Sequence, residues 1–140
     1  PGVAATAIEI NSSAISKLKM IDDVKVIHGS ILESKKIEMY DLAMVIGVLI
    51  HIAPKYLPLA YENIYRASRR YILIGEYYSR QPEEVSYRGY KNKLFKRDFA
   101  GEMLDKYTDL RLVDYGFFYH KDESSNLDDI TWFLMEKADI

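Results

Sequence analysis

Apolar and polar positions alternate along this chain in blocks that predict strands and helices in turn. Small and branched apolar residues fill Val3 to Ile10 and give way to polar ones at Asn11, the pattern of a strand. Ser12 to Lys19 has helical spacing, with Asn11 or Ser12 as its cap. Val24 to His28 predicts a second strand stopped by Gly29. Leu42 to Ile46 predicts a third, whose unbroken apolar character suits a strand covered on both faces. Pro54 then opens a helix to about Ser68, with Leu57, Ala60, Tyr61, Ile64 and Tyr65 on one face. Arg70 to Glu76 reads as a fourth strand, and Tyr77 to Lys96 as a long polar, aromatic loop. Asp98 caps a helix ending near Tyr107. Two closing strands, Leu110 to Tyr119 and Ile130 to Lys137, flank the acidic turn KDESSNLDD.

Strands that alternate with helices imply crossover connections and a mostly parallel α/β sheet, and the closing pair implies an antiparallel hairpin at one edge. At 140 residues and 49% hydrophobic, the chain fits a single domain, residues 1–140. No apolar run reaches the roughly 20 residues that cross a bilayer, so no membrane partner is expected. The absence of cysteine excludes disulfides, thiolate catalysis and cysteine-ligated metals. His28, His51 and His120 match no metal-binding spacing, and no metal is expected. A net charge of −2 gives no broad positive field for nucleic acid. A cytoplasmic setting fits this composition.

Ligands of an open parallel sheet bind beyond the carboxyl ends of its strands. Glu9 ends a strand where a carboxylate can accept the two hydroxyls of a ribose, or can simply be solvated. Gly29-Ser30-Ile31 offers an N–H, a hydroxyl and an apolar face, or forms a plain turn. Gly47 permits close approach of a ligand or makes a tight turn. His51 lies between strand and helix, placed either for proton transfer or for a structural role. Tyr77, Tyr78 and the stretch Tyr87 to Arg97, which interleaves aromatics and cations, read as a substrate-binding loop, since a loop of about 20 residues is more often a lid than a connector.

The segments AIEIN, VIHGSILE, YDLAMVIGVLIHIAP, RYILIGEYYS, YRGYKNKLFKRDFAGEMLDKY, LRLVDYGFFYH and DDITWFLMEK together resemble the class I S-adenosylmethionine-dependent methyltransferases. Within them, the chain is most similar to the methylases associated with pseudaminic acid biosynthesis. The resemblance implies a Rossmann-like fold, S-adenosylmethionine as cofactor and a small-molecule acceptor, a sugar or sugar acid. It places Glu9 on the cofactor ribose, Ser30 and Ile31 at the adenine, and Gly47 and Val48 along the methionine portion. His51 is then the candidate catalytic base, with Tyr77, Tyr78, Tyr87 and Arg88 holding the substrate.

The superfamily's glycine-rich loop follows its first strand, and none of the seven glycines here forms that motif. The expectation is a truncated domain lacking that strand and loop. A gap in the sheet leaves edges that are costly unless paired. The chain is then a fragment, pairs its first and third strands directly, or has another chain fill the gap. Two rival readings remain: a non-catalytic module that self-associates into a homo-oligomer through an exposed edge, and a nicotinamide-dependent oxidoreductase.

Overall fold

A computed structural model describes residues 2–33 and 38–138, with the side chains of Tyr87, Asn92 and Lys93 outside that description. It divides the chain into two compact units, Pro1–Lys35 and Lys36–Ile140.

In the first unit, β1 (Ala5–Glu9) and β2 (Val24–His28) form a parallel pair joined by helix α1 (Ser12–Leu18). Asn11 starts the helix because its side-chain oxygen accepts the N–H groups of Ser13 (2.9 Å) and Ala14 (3.3 Å), which have no partner inside the helix. Ile15 is the residue α1 buries.

The second unit is built on a four-stranded sheet of order β3-β4-β8-β7. Its strands are β3 (Tyr40–Ile46), β4 (Ser68–Glu76), β7 (Leu110–Phe118) and β8 (Ile130–Lys137). β3 and β4 are parallel, and β8 lies antiparallel between β4 and β7. A 3-10 turn at Pro54–Tyr56 leads into α2 (Leu57–Ala67), which packs on β3 and β4, and α3 (Phe99–Lys106) packs on β4 and β7. Asp98 caps α3 through Gly101 N–H at 2.8 Å. Leu49, Leu57, Ile72, Ile74, Met103 and Met135 are fully buried and form the centre of the core.

Three expectations change. Residues 77 to 96 are not a long loop: β5 (Glu83–Tyr87) and β6 (Tyr90–Lys96) form an antiparallel hairpin. Arg88 and Gly89 make its two-residue turn at φ +48° and +80°, the left-handed pair that matches the twist of a hairpin. Leu94 and Phe95 are buried, which anchors a stretch that looked polar. β3 is not covered on both faces, because Leu42 and Met44 are 45% and 61% exposed. The sheet pairing as a whole is mixed, with β8 and the added hairpin supplying the antiparallel share. No helix among the described residues is long and apolar enough to cross a membrane.

Candidate functional site

Parallel pairing with Glu9 opposite His28 carries β1 and β2 to the same edge. There the N–H of Gly29 donates to the Glu9 carbonyl at 3.1 Å, so the turn after β2 starts beside the last residue of β1. The half-buried Glu9 carboxylate accepts the Asn11 N–H on Oε1 at 2.7 Å, and its Oε2 takes no hydrogen bond among the described residues. Ser30 Oγ accepts the Leu32 N–H at 3.1 Å, leaving the hydroxyl proton available for donation. Ile31 follows, half-buried. The first unit thus gathers Glu9, Ser30 and Ile31 at one strand edge.

In the second unit Ile46 stands opposite Gly75, and the Gly47 N–H donates to the Gly75 carbonyl at 2.9 Å. Gly47 adopts φ +65°, and among the described residues no atom beyond its chain neighbours lies within 4 Å of where its Cβ would stand. Its glycine is therefore needed both for the backbone turn and for an unfilled space beside it. Val48 follows, 40% exposed, and leads into the 3-10 turn Leu49–His51. His51 is exposed, with its N–H donating to the Val48 carbonyl at 3.1 Å.

Glu76, the last residue of β4, fixes that turn. Its Oε1 accepts the N–H groups of Val48 (3.0 Å) and Leu49 (2.9 Å), and its Oε2 faces the Ile50 N–H at 3.5 Å. Only 2% of Glu76 is exposed. Burial pushes its carboxyl up to about 7, against the opposing pull of the backbone N–H groups of Leu49, Val48, Ile50 and Gly47. Sequence reading ended the fourth strand at Glu76 but gave the residue no task; a carboxylate closing the apolar run YILIG was the available signal.

Tyr77 and Tyr78, directly after β4, line a cavity of about 320 Å³ together with Phe117 of β7 and Thr131 of β8. Its charged wall consists of Lys96 from the end of β6 and Asp128 and Asp129 from the β7–β8 connection. The Lys96 ammonium lies 5.5 Å from the centre of the Tyr77 ring, and the Tyr77 hydroxyl donates to Asp128 Oδ2 at 3.4 Å. His120 engages Asp129 through its backbone N–H (3.1 Å) and ring Nδ1 (2.9 and 3.0 Å), and holds that carboxyl below the usual range. Ligand-type atoms of His120, Asp128 and Asp129 lie within 4.8 Å of one another, a grouping that histidine spacing alone did not show. Arg88 is at the tip of the β5–β6 hairpin and is not on this wall, and the side chain of Tyr87 lies outside the described residues. Lys96 belongs to the stretch read as a substrate-binding loop, whereas Phe117, Asp128 and Asp129 escaped the sequence reading because they converge on it only through the placement of β8 beside β4 and β7.

No family model matches the chain, and no curated protein matches it. Solved structures do match. The 1,6-didemethyltoxoflavin-N1-methyltransferase of Burkholderia thailandensis, crystallised with 1,6-didemethyltoxoflavin and S-adenosylhomocysteine, superposes with a TM-score of 0.74 at 14% identity. The match covers 97% of this chain and 62% of that one, so the chain spans about three fifths of its length. The N-methyltransferase NodS of Bradyrhizobium japonicum WM9 gives 0.68 at 16% identity over 96% of this chain and 73% of that one. The glycopeptide N-methyltransferase MtfA with S-adenosylhomocysteine gives 0.67 at 9% identity, over 96% and 73%. At these identities the likeness establishes fold. The chain has the Rossmann-like α/β fold of the class I S-adenosylmethionine-dependent methyltransferases, with a mixed sheet.

Proposed function

We propose that the chain belongs to an S-adenosylmethionine-dependent methyltransferase that acts on a small-molecule acceptor. The observation that carries this reading is the methyltransferase fold, matched across 97% of the chain. The residues also suit the cofactor. In the first unit Glu9 keeps one carboxylate oxygen for ribose hydroxyls, and Ser30 keeps a donor for an adenine nitrogen beside the apolar Ile31. In the second unit Gly47, to which the resemblance gives the methionine portion, has open space at its Cβ position. When bound, the cofactor supplies a methyl group already activated by its sulfonium. The protein then has to align the acceptor and remove its proton.

His51 is the group we assign to that proton. It is exposed, and the turn that carries it is held by Glu76 from β4. Tyr77 and Tyr78 wall the acceptor cavity, and Tyr87 and Arg88 extend the substrate assignment to the hairpin turn. The resemblance to methylases associated with pseudaminic acid biosynthesis supports a sugar-related acceptor with an oxygen or nitrogen nucleophile, and the composition fits a cytoplasmic setting.

The test is transfer of tritiated methyl from S-adenosylmethionine by the full gene product to a panel of sugar acids, amino sugars and amines. His51→Ala should lower turnover by about 10²–10⁴ while S-adenosylhomocysteine still binds, the range for loss of a general base. Turnover unchanged by His51→Ala would remove the imidazole from the chemistry.

A further inference from the structure

The cavity beside Tyr77 has walls of two kinds. Tyr77, Tyr78 and Phe117 offer aromatic surface, and Tyr78 is itself backed by Phe133, ring centres 5.9 Å apart. The charged residues differ in how they are occupied. Asp129 is engaged by His120 through both ring and backbone. Lys96 and Asp128 have no ion-pair partner among the described residues. Glu83, which faces Lys96 across the hairpin ladder, receives the Ser79 hydroxyl instead at 2.8 Å. Lys96 rests near the ring of Tyr77, and Asp128 meets the hydroxyl of the same residue. One cation and one anion are therefore held at two places on a single aromatic side chain, inside a cavity large enough for a small molecule.

We propose that this cavity takes a zwitterionic acceptor, whose ammonium is received by Asp128, whose anionic group is received by Lys96, and whose body lies against Tyr77, Tyr78 and Phe117. A ligand with one charge of each sign satisfies both residues, whereas a pure anion leaves Asp128 facing it and a pure cation leaves Lys96 facing it. Aromatic walls favour the ammonium end further, because a cation is attracted to a ring face. The inference rests on the methyltransferase reading only for the role of the ligand as acceptor; the charge preference belongs to the cavity itself.

The test uses three probes with a common phenyl body: phenylalanine, 2-phenylethylamine and 3-phenylpropionate. Their binding to the full gene product is measured by NMR titration, with S-adenosylhomocysteine titrated separately. Phenylalanine should bind most tightly, and loss of either charge should weaken binding by roughly three- to tenfold, as for a charge-assisted contact at a partly exposed site. Asp128→Asn should weaken phenylalanine and 2-phenylethylamine and leave 3-phenylpropionate unchanged or tighter. Lys96→Gln should weaken phenylalanine and 3-phenylpropionate and leave 2-phenylethylamine unchanged or tighter. Equal affinity for all three probes, no chemical-shift change at millimolar probe, or 3-phenylpropionate equalling phenylalanine as for a plain acid, would overturn the zwitterion assignment. The wild-type series decides this without either variant. S-adenosylhomocysteine binding without the probe ranking sinks the inference alone, and the probe ranking without S-adenosylhomocysteine binding sinks the methyltransferase reading alone.

Discussion

Glu76 is a buried acid whose burial, favouring the neutral carboxyl, outweighs the backbone N–H groups that favour its charge, and Glu76→Gln separates the two effects. The amide keeps an oxygen for the N–H groups of Val48 and Leu49, bound at 3.0 and 2.9 Å, and removes the charge. The folded carboxyl is raised from 4.5 to about 7. Between those values the folded state holds a proton that the unfolded chain has released. Stability from Glu76 is thus fully present below about 4.5 and is lost as pH rises toward 7. A shift of about 2.5 pH units at about 1.4 kcal/mol each makes this loss about 3.5 kcal/mol. Urea unfolding of wild type and Glu76→Gln, followed by Trp132 fluorescence from pH 4 to 8, isolates the effect, because the other titrating groups cancel in the difference. The two proteins should be close in stability at pH 4, and the wild type should be less stable than the variant by about 3.5 kcal/mol at pH 8. A difference that stays flat within about 0.5 kcal/mol across that range would show that Glu76 is charged throughout and that its N–H groups outweigh its burial.

Gly47→Ala should cost about 1–2 kcal/mol, because a Cβ is unfavourable at φ +65° even where space is open, and an unchanged urea midpoint would show that the turn can relax. Asp98→Ala should destabilise α3 by about 1 kcal/mol through loss of the cap on Gly101, read as a lower thermal midpoint; Asp98→Asn should recover most of it. Leu49→Ala, at a fully buried position beside the Glu76 contact, should cost about 2–5 kcal/mol in urea unfolding, and a loss under 1 kcal/mol would mean the site collapses around the smaller side chain.

The strands and helices were legible wherever a period was sustained and ended by a capping residue. Asn11 and Asp98 each cap the helix they announced, and Glu9, Gly47 and Tyr77 each mark a strand end as read. The β5–β6 hairpin was not legible, because Arg88 takes a left-handed conformation usually given to Asn or Gly and because Tyr, Asn and Lys conceal the alternation around Leu94. The placement of β8 between β4 and β7 brings Asp128 and Phe117 to the residues after β4, and long-range pairing of that kind leaves no local pattern. Glu76 was visible as a residue but not as a role, since its three N–H neighbours come from a segment 26 to 28 positions earlier.

Isothermal titration of S-adenosylhomocysteine into the full gene product and its Glu9→Ala variant tests the methyltransferase reading most directly. The account predicts saturable one-to-one binding, weakened roughly tenfold or more when the ribose-accepting carboxylate is removed, since hydrogen bonds to a charged group contribute about 1.5–3 kcal/mol. No binding by the wild type would contradict the cofactor assignment, and equal affinity in the variant would contradict the place given to Glu9.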